Sequence, residues 1–250
     1  MSIKGIYWGS PKINDYDIIL DYFSNTKIHS TRTSSVPLAQ YWQESSKILA
    51  ELEKNLGFKI NNAELCFEYP TKSYGSNRAS MTDLMIISDN LKIAVEAKYT
   101  EYAKGDYETI SKWLESGSKP ENRVKVLKHW KDMIKSFADF KEDEINSIPY
   151  QLLHRTASAC CENNGRAVVL YQIFYDTSTD SKLDKFIKEL ESARSIIKPK
   201  ENLHFIINKI EVKDINDEVK EKDFKKEEVF QFMKRSKAYY FGKSEFIRYD

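Results

Sequence analysis

Residues 81–99 read MTDLMIISDNLKIAVEAKY, and their pattern decides the fold. Two apolar runs, Met81–Ile87 and Lys92–Tyr99, flank Ser88-Asp89-Asn90-Leu91, which is the sequence form of a β-hairpin. A two-residue turn at Asp89-Asn90 or a four-residue turn at Ser88–Leu91 pairs Ile87 with Lys92 in either case. Counting back along both strands sets Asp83 opposite Glu96. Lys98, two residues past Glu96, shares their face through the period-two alternation of a strand. Opposed residues in an antiparallel pair have Cβ atoms about 4.5–5.5 Å apart, where like charges destabilise. A hard divalent cation such as Mg2+ takes oxygen ligands, commonly one or two protein carboxylates, and would offset that repulsion. The flanks LMII and IAV are apolar on both faces, so the hairpin is expected to be central in its sheet and covered on both sides.

Outward from the hairpin, the hydroxyl-rich HSTRTSSVP (residues 29–37) reads as a loop whose Pro37 suits the first turn of a helix. Leu38, Trp42, Leu49, Leu52 and Leu56 then recur at helical spacing until Gly57, predicting one helix over 38–56. Ala63–Tyr69 reads as a strand ended by Pro70 and the turn-rich TKSYGSNR. The polar stretch 100–148, with a loop at ESGSKPEN and a helix near 124–140, reads as an insertion. Pro149 opens the helix YQLLHRTASACCE, and Gly165 precedes an apolar strand at Ala167–Tyr175. A helix at Ser181–Ile197 and a strand at Leu203–Val212 follow. In the charged extension 213–250 lysines alternate with acids, which reads as a solvated helix face. The expected fold is a single α/β domain over 1–250, a central mixed β-sheet flanked by helices, plus a helical insertion and a charged C-terminal extension.

The strand–turn–strand pattern Thr82-Asp83 … Glu96-Ala97-Lys98 resembles the signature of the PD-(D/E)XK nucleases, with Thr82 where the family name has proline. The resemblance runs over roughly Leu38–Tyr175 and implies a restriction-endonuclease-like core, here about 38–212. In that core a helix precedes the sheet and the acid strands form a hairpin. The activity it implies is metal-dependent phosphodiester hydrolysis. Asp83 and Glu96 would hold Mg2+, or Mn2+ in its place, to polarise the phosphate and lower the pKa of the attacking water. Lys98 would orient that water and stabilise developing negative charge. Glu44 resembles the helical acid that some of these enzymes add to the metal shell, and Glu51 could serve instead. Gln151 and Arg155, four apart on one helix face, stand where related nucleases place a glutamine or a basic residue. Each also has an ordinary explanation, Gln151 as a helix-start side chain bonded to backbone and Arg155 as a surface charge. His154 beside them reads as structural or as a substrate contact. Ser80, Thr82 and Arg32 could meet a phosphate, although cross-strand pairing and loop capping explain them as well.

The implied partner is nucleic acid, with double-stranded DNA cut by an endonuclease of restriction or antiphage defence as the leading expectation. A homodimer would suit a palindromic target. A catalytically inactive nucleic-acid-binding protein of the same fold and an RNA nuclease are the alternatives. The formal net charge of +1 gives no global attraction to a polyanion, so such binding needs a local basic surface. Cys66, Cys160 and Cys161 form no CxxC pair, and His29, His129, His154 and His204 lack metal-ligand spacing, which argues against a disulfide framework and a zinc site. No apolar run approaches the roughly 18 residues of a membrane span, and the expected location is cytoplasmic.

Overall fold

A computed structural model describes residues 3–13, 16–23, 31–104, 108–117, 119–220, 231 and 236–249. These build one eight-stranded mixed sheet in the order β2-β1-β3-β4-β5-β6-β7-β8. The strands are β1 (Ile3–Trp8), β2 (Lys12–Ile13), β3 (Ala63–Thr71), β4 (Ser80–Ser88), β5 (Leu91–Lys98), β6 (Arg166–Tyr175), β7 (Leu203–Ile215) and β8 (Tyr239–Tyr249). Strands β3, β4 and β5 form an antiparallel meander, whereas β5, β6 and β7 run parallel. A parallel step needs a crossover. Helix α6 (Tyr150–Cys160) supplies it between β5 and β6, and α7 (Asp180–Ile197) supplies it between β6 and β7.

Alternation along the central strands sends side chains into two cores. Leu65, Phe67, Leu84, Ile86, Ile93 and Val95 pack against α1 (Asp17–Tyr22), α2 (Ser35–Tyr41) and α3 (Ser45–Leu56). On the other face Cys66, Met85, Ala94 and Val169 pack against α5 (Pro120–Ile134), α6 and α7. The hairpin is therefore central and covered on both sides, as its apolar flanks require. Each Leu or Ile so enclosed contributes about 1.5–3 kcal/mol.

Three expectations change. The helix over 38–56 is two helices, α2 and α3, joined by a 3-10 turn at Trp42–Glu44, with Glu44 at φ −91°, ψ 33°. Tertiary bonds hold the break: Trp42 is fully buried and its Nε1 donates to Gln172 Oε1 on β6 at 2.7 Å. Gln40 Oε1 accepts from the backbone N–H groups of Ala238 and Tyr239. The segment read as an insertion carries α4 (Ile110–Glu115) as well as α5, and its Ile110, Val126, Trp130 and Ile134 are buried in the second core. The charged extension ends in β8, which pairs antiparallel with β7 and buries Tyr239. The solvated helix face expected before β8 falls largely on 221–230 and 232–235, outside the described residues, as do the first two residues of the 29–37 loop.

The hairpin is locked to β6 at its turn. Asn90 O accepts from Arg166 N at 2.9 Å, and a Cβ on Gly165 would stand 2.1 Å from that same oxygen. Gly165→Ala should therefore push the turn off β6 and cost about 1–3 kcal/mol, as overpacking does. A urea titration reads the loss, and a midpoint unchanged from the parent would contradict it.

Candidate active site

The β4–β5 register pairs Ser88 with Leu91 and Ile87 with Lys92, and continues to Leu84 opposite Val95. The next position in that register is Asp83 opposite Glu96. Here the backbone ladder gives way to a side chain, because Asp83 Oδ2 accepts the Ala97 N–H at 2.8 Å. The two strands part at the point where both carboxylates face α6.

Glu96 is 1% exposed and its carboxylate is taken by three donors. Lys98 Nζ donates to Oε1 at 2.7 Å. Gln151 Nε2 donates to the same oxygen, and Arg155 Nε donates to Oε2. Helix α6 places Gln151 and Arg155 one turn apart on the face that covers the sheet. Both are thus bonded to the acid, and neither is a helix-start cap nor a surface charge. Arg155 Nη1 reaches Ser80 Oγ at 3.5 Å and His154 Nδ1 at 3.3 Å, and Ser80 Oγ lies 3.0 Å from that nitrogen. A guanidinium only donates, so His154 Nδ1 accepts and its ring is neutral. Burial and the neighbouring Arg155 charge push His154 well below the usual imidazole value, in agreement.

The two acids differ electrostatically. Burial, then the Glu96 charge, pushes Asp83 up to about 7. Burial also opposes charge on Glu96, but Arg155 and Lys98 outweigh it and hold the group at about 2. Burial disfavours the Lys98 ammonium, yet Glu96 and Asp83 raise its pKa above the ordinary lysine value. At neutral pH Lys98 is charged and Glu96 is ionised and held by three donors, while burial and the Glu96 charge draw Asp83 toward its neutral form.

Glu44 does not join this patch. It sits at the start of α3, on the opposite face of the sheet, 58% exposed and 3.6 Å from Lys47 and 4.0 Å from Lys237. Glu51 lines the same surface depression, so neither serves as the expected helical acid. Among the described residues no group of three or more His, Cys, Asp and Glu side chains is placed to hold a metal. Asp83 and Glu96 are the carboxylates left for one. Their chemistry suits a hard cation: Asp83 is a desolvated carboxyl whose one hydrogen bond comes from backbone, and an ionised Glu96 shares its face. Two carboxylates, with water and phosphate completing the shell, are a common Mg2+ donor set.

Thr82, next to Asp83 on β4, is fully buried and its hydroxyl bonds no described group. Arg32 is engaged by Asp176 and Ser178 rather than poised for phosphate. Glu101, which the sequence did not single out, accepts from Tyr99 N and Ser34 N, and its charge acts on Lys98. Nothing in its local pattern separates it from the other surface acids.

Residues 13–216 match the family described as Domain of unknown function (DUF6946). The chain belongs to that family. No curated protein and no solved structure matches it. The matched span of the DUF6946 domain holds Asp83, Glu96, Lys98, Gln151 and Arg155, and leaves β8 outside.

Two outcomes test the electrostatics of this domain. Arg155→Leu strips Glu96 Oε2 of its donor, leaves the buried charge to Lys98 and Gln151 alone, and should cost about 3–5 kcal/mol at pH 7. Because Glu96 is held low, the pair's contribution is present above the ordinary carboxylate range and is lost as pH falls toward about 2. The gap between parent and variant in chemical denaturation should accordingly shrink in acid. Asp83 has the opposite sign: held at about 7, it favours the folded state less as pH rises from the ordinary carboxylate range through 7. In chelator, Asp83→Asn should melt higher than the parent at pH 8 and level with it near pH 4, and a constant offset across that range would disprove the assignment.

Proposed function

We propose that this domain is a divalent-metal-dependent nuclease of the PD-(D/E)XK type, hydrolysing phosphodiester bonds in DNA. The observation that carries the reading is the convergence of Asp83, Glu96 and Lys98 on one face where the central hairpin parts. The order α3-β3-β4-β5-α4-α5-α6-β6, with an antiparallel meander followed by a parallel crossover strand, supports a restriction-endonuclease-like core with α4 and α5 added ahead of α6.

Asp83 and Glu96 would hold Mg2+ or Mn2+. Once bound, the ion supplies Lewis acidity toward the phosphate and a more acidic attacking water. Arg155 and Gln151 fix the Glu96 carboxylate in one orientation, so little reorganisation is left for the reaction. Lys98 holds a compact positive charge beside both acids, where it can orient water and offset charge growing on the phosphate. Its bond to Glu96 keeps the ammonium pointed into the patch before substrate arrives. The neutral His154 ring is spent on Ser80 and Arg155 and serves to position them, which leaves Lys98 as the residue that faces the reacting atoms. Cleavage in restriction or antiphage defence is the setting proposed for such a nuclease.

A nucleic-acid-binding role without catalysis draws on a specific observation: three donors already occupy Glu96, as they would in a purely structural ion cluster. Incubation with plasmid, linear duplex, single strands and RNA, in Mg2+, Mn2+ or chelator, separates the two. The nuclease reading expects divalent-dependent cleavage, with Lys98→Ala and Glu96→Ala each slowing it by at least about 100-fold and Lys98→Ala keeping the parent circular dichroism spectrum. Mg2+ or Mn2+ should raise the melting temperature of the parent and not that of Asp83→Asn. Cleavage of none of the four polymers would favour the binding role.

A further inference from the structure

Beside the acid cluster lies a second concavity of about 350 Å³, enclosed by the β3–β4 connection, α4, α5 and the start of α6. Arg78, Ser80, Trp113, Arg123, Trp130 and Tyr150 carry its chemistry. Trp113 stacks on Tyr150 with ring centroids 3.9 Å apart and planes 9° from parallel. The Arg123 guanidinium lies 4.9 Å from the Trp113 ring and donates to Ser116 Oγ at 2.8 Å. Trp130 Nε1 donates to the Tyr150 hydroxyl at 3.0 Å, which fixes the Tyr150 end of the stack. Planar groups held this way lose little freedom when a further ring packs on them.

Charge points the same way. No Asp or Glu lines the concavity, although charged residues make up 31% of the chain and acids nearly equal bases in number. Arg78 is exposed, and among the described residues its guanidinium has no hydrogen-bond or ion-pair partner. The concavity also adjoins the cluster through its wall: Ser80 bonds His154 and Arg155, and Arg155 bonds Glu96. Tyr150 precedes Gln151 on the same helix turn.

We infer that this concavity binds an unpaired nucleotide of the polymer next to the scissile bond, its base against the Arg123–Trp113–Tyr150 stack and its phosphate on Arg78. The identity of the ligand rests on the nuclease reading. Size and shape favour a single nucleotide over a duplex, since the volume is at the low end for a small-ligand site. Stacked bases within a duplex expose no π-face to such a wall, whereas an unpaired base does, and every base has one.

Binding in chelator tests this without any need for cleavage. Fluorescence anisotropy of a labelled 12-nucleotide single-stranded DNA and its blunt duplex, with the full chain at fixed salt, should show the single strand bound at least tenfold more tightly. Arg78→Gln, an exposed change that leaves the core untouched, should weaken single-strand binding three- to tenfold, and Trp113→Leu about tenfold or more. Lys47→Gln, on the far face of the sheet, should leave it unchanged. Duplex bound as tightly as single strand, or an Arg78→Gln affinity equal to the parent's, would overturn the proposal, even if Trp113→Leu fails to fold. The two readings fail separately: Arg78-dependent single-strand binding without cleavage in Mg2+ would sink only the nuclease, and cleavage with affinity indifferent to Arg78 would sink only the nucleotide site.

Discussion

A carboxylate with 1% of its surface exposed can stay ionised only if donors reach it, and on Glu96 those donors come from two different elements. Lys98 arrives along the same strand, while Gln151 and Arg155 arrive from α6. This single charge therefore ties the crossover helix to the central hairpin, at a place where apolar packing alone would let the helix slide or rotate. Buried ion clusters are weak contributors to net stability and stronger contributors to uniqueness, because any other placement of α6 strands a charge. The neighbours on α6 inherit that fixed position. Tyr150 is set against Trp113, and His154 is set against Ser80, because Gln151 and Arg155 cannot move.

Asp83 and Glu96 share a face and a register yet reach opposite electrostatic ends. Glu96 faces two cations and accepts three hydrogen bonds. Asp83 receives one backbone N–H, and there desolvation and the Glu96 charge outweigh the attraction of Arg155 and Lys98. A purely structural cluster would be better served by an amide or hydroxyl at Asp83, which could accept the Ala97 N–H without the repulsion. The unrelieved carboxyl is the feature that asks for a ligand, since a cation between the acids removes the like-charge term and replaces lost hydration together.

Where interactions are local in sequence, the fold was legible. The hairpin register followed from Ser88–Leu91 and period-two alternation, and the pairing of Ile87 with Lys92 follows that count. Gln151 and Arg155 were legible as a pair four apart, although their convergence on Glu96 depends on how α6 lies across the sheet. Glu44 does not reach the acids because helical periodicity is silent on which face of the sheet a helix covers, and α3 packs on the face opposite α6. Strand β8 was masked by its edge position: with one neighbour, a strand tolerates Lys243, Glu245 and Arg248 and keeps little of the apolar pattern that marks β5 or β6. The stretch 100–148 read as an insertion because it is largely polar, yet α5 within it buries the stripe Val126, Trp130 and Ile134, which is all a one-sided helix needs.

That stretch also bears on recognition. The chain as a whole carries a formal charge of +1, so affinity for a polyanion has to be concentrated somewhere. Trp113, Arg123 and Trp130 come from the stretch after β5, and Arg78 and Ser80 come from the connection that leads into β4. The acid hairpin is thus bracketed, on the side that α6 covers, by a wall of aromatic and arginine side chains, anchored to the second core through the buried Trp130. A wall that served only to close the core would have its arginines paired with acids, as Arg32 is paired with Asp176. Around Trp113 the exposed Arg78 and the half-buried Arg123 have no acid partner among the described residues, which is the charge imbalance that the proposed nucleotide site would use.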